Sequence, residues 1–146
     1  MTTLDTLLRD KVLLLDGGMG TQIFARSPTV EDYGGAALEG CVDLLTERRP
    51  QWIREIHESY FRAGADAVET NTFGANPLVL GEFGLSAKAY ELNVQAASLA
   101  REVARSFDRP PFVIGPVGPG PQLIPPAPRA AAAPPPPSPR PQTPPL

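Results

Sequence analysis

Apolar positions in this chain fall into three short runs and two longer periodic stretches, and their order predicts the architecture. Val12 to Leu15 form a continuous apolar run between charged residues and DGGMG, the pattern of a strand buried on both faces. From Pro50 onward, Ile53, Ile56, Tyr60 and Ala63 recur at spacings of three and four as far as Gly64. Proline suits a first helical turn and glycine a left-handed cap, so a helix is predicted over 50–63. ADAVETNT, residues 65–72, is bounded by Gly64 and FGANP and carries Val68, Thr70 and Thr72; it reads as a second strand, polar toward its C-terminal end. Ser86 is placed to cap a second helix running to about Phe107, with Tyr90, Val94 and Ala97 beside Leu92, Leu99 and Val103 as a wide apolar face. PFVIG supplies a third strand. Thr21 to Thr46 keeps no period and is expected to be an irregular excursion with room for a short helix. Strand, helix, strand, helix, strand at these spacings fits parallel strands joined by right-handed crossovers, as at the start of a β/α barrel or a doubly wound sheet.

Composition divides the chain. Of its 19 prolines, 12 lie in residues 121–146, where the large apolar residues are Leu123, Ile124 and Leu146. That stretch cannot build a core, so residues 1–120 are expected to form the folded part and 121–146 a disordered, Pro/Ala-rich tail. The first part holds all 16 acidic residues against 11 of the 13 basic ones, a poor match to nucleic acid, whose phosphates call for basic patches. Cys41 is the single cysteine, which rules out an internal disulfide or a thiolate cluster from this chain alone. Charges at Asp5, Arg9, Asp10 and Lys11 interrupt any signal-peptide core, and no run approaches a membrane span of about 20 residues. The expectation is a cytoplasmic chain without a membrane partner.

Ligands of β/α folds sit beyond the C-terminal ends of the strands. Three clusters lie there: LDGGMGT (15–21), ETNTFGAN (69–76) and GPVGPG (115–120). Asp16 is an anion at the mouth of such a site, suited to an ammonium group. Gly17, Gly18 and Gly20 would let backbone N–H groups approach a carboxylate or phosphate, or would form a tight turn with a capping aspartate. In ETNTF, Thr70 and Thr72 share one strand face and Glu69 and Asn71 the other. These polar groups either satisfy neighbouring loop backbone or line a polar pocket, with the pocket favoured. His57, flanked by charged residues on the first helix, is expected to be solvated or half-buried. Cys41 lacks a His or Cys at ligand spacing and reads as a packing residue.

Taken together, LLLDGGMGTQI, RPQWIREIHESYFRAGADAVETNTFGANPLVLGEFGL, ELNVQAASLAREVA and FVIGPVGPG resemble, in order and spacing, the start of the homocysteine-binding domain of cobalamin-dependent methionine synthases. The pairing of DGGMGT with ETNTFGAN is the most specific part, and the resemblance covers about residues 10–120. It implies an α/β fold, about three βα units from the N-terminal portion of a (β/α)8 TIM barrel. It also implies homocysteine at the C-terminal ends of the strands, where Asp16 and Gly17 help hold its amino-acid end and Thr70 and Phe73 line its pocket. In the family a zinc ion on three cysteines activates the homocysteine thiol to take a methyl group from methylcobalamin, and methyltetrahydrofolate and cobalamin domains follow the barrel. This sequence departs from the pattern in three ways. Cys41 matches none of the zinc cysteines, Pro116 stands where the family usually has serine, and prolines replace the expected continuation after Gly120. The chain is therefore expected to be a truncated portion, inactive alone and binding neither zinc nor cobalamin by itself, with a shifted reading frame in a GC-rich gene as one origin of the change. Two other readings stay open: part of a zinc methyltransferase that takes its methyl from betaine or a methylated sulfur compound, and an interaction module presenting a polyproline tail.

Overall fold

The computed structural model describes residues 4–108 and 111–119. The proline-rich stretch 121–146, expected to be a disordered tail, lies outside the described residues. Helices α1 (Leu4–Asp10), α2 (Met19–Phe24), α3 (Val30–Tyr33), α4 (Leu45–Arg48) and α5 (Pro50–Ala63) precede strand β1 (Ala67–Glu69). Then come α6 (Pro77–Gly81), α7 (Ala89–Ala104) and strand β2 (Phe112–Ile114), with single 3-10 turns at Ala36–Leu38, Val42–Leu44 and Ser86–Lys88.

The predicted β-α-β order holds. β1 and β2 pair in parallel, with Ala67 opposite Phe112 and Glu69 opposite Ile114. On the other edge of β1, Leu14 O accepts the N–H groups of Asp66 and Ala67, and Asp16 N–H donates to Ala67 O at 3.1 Å. Three parallel segments thus lie side by side in chain order, and all three end on the same side of the molecule. The first is shorter than expected: Val12 to Leu15 form a single bridge, Leu15 to Ala67, rather than a strand. Nor is the run buried, since Val12 is 85% exposed and Leu14 60%. An apolar run is buried only where elements cover both of its faces, and here β1 supplies one edge and little else.

α5 forms where expected. Pro50 occupies its first turn and Gly64 closes it at φ 110°, in the left-handed region that suits glycine. Ile53, Ile56 and Phe61 pack with Ile23, Tyr33, Leu45 and Val68, and with Leu99, Ala100 and Val103 of α7, to form the main core. α7 differs from its prediction in two respects. Ser86 does not cap it: its hydroxyl donates to Pro77 O at 2.8 Å, and the helix begins after a 3-10 turn. Its buried stripe is Ala89, Leu92, Ala96, Leu99, Ala100 and Val103, while Tyr90, Val94 and Ala97 face out. At 100° per residue those three fall on the opposite side of the helix, and alanines let the true stripe pack closely. His57 also departs from expectation. It is fully buried, one turn from Ile53 and Phe61, and neither ring nitrogen has a hydrogen-bond partner among the described residues. Burial pushes its pKa down to about 4.

The stretch from Thr21 to Thr46 is more ordered than its lack of period predicts. Polar contacts hold it: Asp32 closes a capping box with Thr29 and pairs with Arg49 Nε at 2.6 Å. Arg26 and Arg49 each lie 5.9 Å from the Trp52 ring, which fastens the excursion to α5.

Candidate functional site at the strand ends

The common end of the three parallel segments opens on a pocket of about 710 Å³. Asp16, Gly17, Thr70 and Phe73 all line it, as do Pro116 and, from the irregular excursion, Cys41 and Asp43. Parallel pairing accounts for this meeting. It puts the residues following each segment at one rim, so positions more than 50 apart in sequence become neighbours.

Asp16 does two things. Both its carboxylate oxygens accept the Glu69 N–H, at 3.1 and 3.0 Å, clamping the first segment to the end of β1. Partial burial, with Glu69's negative charge adding to it, pushes its pKa up to about 6 against the Glu69 N–H bond that opposes the shift. Gly17 meets Tyr60: a Cβ there would come within 3.0 Å of the Tyr60 hydroxyl, which donates to Gly18 O at 3.5 Å. Thr70 is buried and its hydroxyl pairs with that of Thr72 at 2.7 Å. Asn71 also lines the pocket, and its side-chain amide donates to Val42 O at 2.9 Å and to Thr46 Oγ1 at 3.2 Å. The polar strand end therefore serves both purposes weighed from sequence: Asn71 and Thr72 satisfy buried neighbours, while Glu69, Thr70 and Asn71 line the pocket wall. Phe73 stands at the rim, 62% exposed.

Asp43 was not singled out from the sequence. It is buried, accepts the Gly74 N–H at 2.9 Å, and burial raises its pKa. The available signal was one acid inside the apolar run CVDLL, since a lone charge among apolar residues needs a partner. The lining carries Asp16, Asp43, Glu69 and Glu82 and, among the described residues, no Lys, Arg or His, a charge distribution that favours cations over anions. Cys41 packs with Leu44, Leu80, Ala89 and Leu92, as a packing residue should, and burial raises its thiol pKa.

The donor set does not fit a three-thiolate zinc ion. The chain has one cysteine, and among the described residues no three His, Cys, Asp or Glu side chains are grouped to hold a metal. No helix among them is long and apolar enough to cross a membrane.

Comparison with known proteins gives this pocket a context. The chain is 43% identical over 125 residues to methionine synthase of Mycobacterium tuberculosis and 42% identical to that of Mycobacterium leprae. Each alignment covers 84% of this chain and 10% of the relative, so the chain spans about a tenth of the length of the curated relatives it matches. Among solved structures it is similar to the homocysteine methyltransferase MmuM from Escherichia coli. The metallated form gives a TM-score of 0.58 at 30% identity, covering 80% of this chain and 41% of that one. The oxidized form gives the same TM-score at 29% identity. The α/β arrangement described above is thus that of part of a homocysteine methyltransferase. The sequence pattern named Homocysteine S-methyltransferase matches residues 13–138, through every segment that lines the pocket, and on that match the chain belongs to the homocysteine S-methyltransferase family.

Proposed function

We propose that this chain carries the amino-acid-holding part of a homocysteine S-methyltransferase site of the methionine synthase kind. The observation that carries the reading is the convergence of Asp16, Gly17, Thr70 and Phe73 on one acid-lined pocket at the ends of three parallel segments. Asp16 accepts the ammonium of homocysteine, the backbone at Gly17 meets its carboxylate, and Thr70 and Phe73 flank its side chain. The polypeptide around them is the opening of a (β/α)8 barrel, residues 1–120, followed by a proline-rich tail and working in the cytoplasm. Higher identity to the methionine synthases than to MmuM supports methylcobalamin as the methyl source, with folate and cobalamin modules as the partners of such a site. The residues of this chain bind and orient the amino acid. With one cysteine they supply no three-thiolate set for zinc, so no methyl-transfer step is assigned to them.

The test compares L-homocysteine with 4-mercaptobutyrate, which lacks the amine, by isothermal titration of the full chain. Removing one charge-assisted bond to Asp16 is expected to weaken binding by at least about tenfold, since such a bond contributes about 1.5–3 kcal/mol. The Asp16→Asn variant should bind the two compounds alike. Equal binding of both by the unaltered chain would overturn the assignment of Asp16.

A further inference from the structure

Phe73 is a large aromatic at the pocket rim, and its exposure means that core packing does not set its direction. Its backbone does. The carbonyl oxygen of Phe73 accepts the Gly118 N–H at 3.2 Å. The N–H of that same peptide unit, on Gly74, donates to Asp43 Oδ1 at 2.9 Å. A planar peptide held at both its oxygen and its nitrogen cannot rotate without breaking one of the two bonds. The holders come from different parts of the chain, Asp43 from the 3-10 turn at Val42–Leu44 and Gly118 from the segment after β2. Both glycines are needed at their places. A Cβ on Gly74 would lie 2.7 Å from Asp43 Oδ2, and one on Gly118 would overlap the Phe73 carbonyl oxygen. Asn71, two residues before Phe73, ties the same 3-10 turn to the loop through Val42 O and the adjoining α4 through Thr46 Oγ1.

A buried carboxylate is costly, and a residue of similar shape without charge would fill the space behind Gly74. Asp43 stands where its acceptor oxygen meets a backbone N–H directly beside the aromatic rim residue. We infer that Asp43 and Gly118 are positioning residues, which fix the Phe73–Gly74 peptide so that the Phe73 ring forms one wall of the pocket. This role toward a substrate presupposes that the pocket holds homocysteine, as proposed above.

The experiment uses the full 146-residue chain with the variants Asp43→Ala, Asp43→Asn and Gly118→Ala. L-homocysteine titration is combined with hydrogen exchange of individual amides by NMR. Asp43→Ala is expected to weaken L-homocysteine binding about tenfold and to speed exchange of the Gly74 amide by a similar factor, with the core amides of α5 and α7 unchanged. Gly118→Ala should weaken binding as well. Asp43→Asn keeps an acceptor oxygen and should recover binding to within about threefold of the unaltered chain. Unaltered affinity together with an equally slow Gly74 amide in Asp43→Ala would overturn the inference. So would a uniform acceleration of exchange across the whole chain, which marks a residue that merely stabilises the fold. If the unaltered chain does not bind L-homocysteine, the proposed function fails and the pinning is decided by the amides alone. Faster exchange confined to the Phe73–Gly74 loop then upholds it, and its absence refutes it.

Discussion

Acidification below pH 6.5 should destabilise this protein first through His57, and the size of the effect follows from its burial. The carboxylates Asp32 and Glu55, whose pKa values hydrogen bonds and their arginine partners lower, act only after it. His57 is fully buried with two unpartnered ring nitrogens among the described residues, and its pKa lies near 4 rather than the ordinary 6.5. Below pH 6.5 the unfolded chain takes up a proton at this histidine while the folded chain resists it down to about pH 4. The unfolded state binds more protons across that window, so stability falls as pH falls and is flat above pH 6.5. The slope is about 1.4 kcal/mol per pH unit, which accumulates to about 3 kcal/mol by pH 4. Asp43, whose pKa burial also raises, works in the opposite direction, and so does Asp16. Its folded pKa of about 6 lies above the ordinary 3.8, so the folded state binds that proton first and gains stability as pH falls from 6 toward 3.8. It is only half-buried, and solvent screening keeps its contribution below His57's.

The substitution His57→Leu separates His57 from the carboxylates. It removes the titrating group and two desolvated nitrogens while keeping similar volume, and at pH 7.5 it should stabilise the fold by about 1 kcal/mol. Urea unfolding of both proteins, followed by Trp52 fluorescence and far-UV circular dichroism between pH 7.5 and 4.5, gives two stability curves. The gap between them should widen steadily below pH 6.5. A gap that stays constant over the whole range would refute the reasoning, because His57 would then take up its proton equally in both states.

Other consequences are local. The affinity for L-homocysteine should fall as pH drops through about 6, where Asp16 gains a proton and loses the charge that holds an ammonium; titration calorimetry at pH 7.5 and 5 measures it. Gly64→Ala places a Cβ at φ 110° and should lower stability by about 1 kcal/mol in urea unfolding, because that backbone region is open to glycine and strained for alanine. Asn76 accepts the N–H groups of Leu78 and Val79 at the start of α6. Its replacement by alanine should cost about 1 kcal/mol on the same assay, with faster amide exchange at Leu78 and Val79.

Much of this architecture is written in local signals. α5 was legible because proline, an apolar spacing of three and four and a terminal glycine all point to one helix with one end. The same spacing also held the answer for His57. It lies four residues from both Ile53 and Phe61, on the buried face, and the charged residues beside it in sequence misdirected the reading. Tyr90, Val94 and Ala97 failed for the converse reason: they are apolar in type but sit opposite the stripe that packs. Val12 to Leu15 carry the pattern of a buried strand, yet burial depends on what neighbours them and not on their own hydropathy. Asp16, Gly17, Thr70 and Phe73 could be placed at one pocket because each lies at the end of a predicted strand or just beyond it. Asp43 and its bond to Gly74 could not, since they depend on how an irregular stretch folds over the strand ends.

The central claim is that the acid-lined pocket receives homocysteine, and an amide-resolved titration tests it most directly. The isotopically labelled full chain is titrated with L-homocysteine and followed by two-dimensional NMR. Saturable shifts are expected at Gly17, Gly18, Glu69, Thr70, Phe73 and Gly74, and in Asp16→Asn they should need at least about tenfold more L-homocysteine. Shifts absent from these residues, or centred instead on the separate cavity beside Arg101, Phe107 and Phe112, would contradict it.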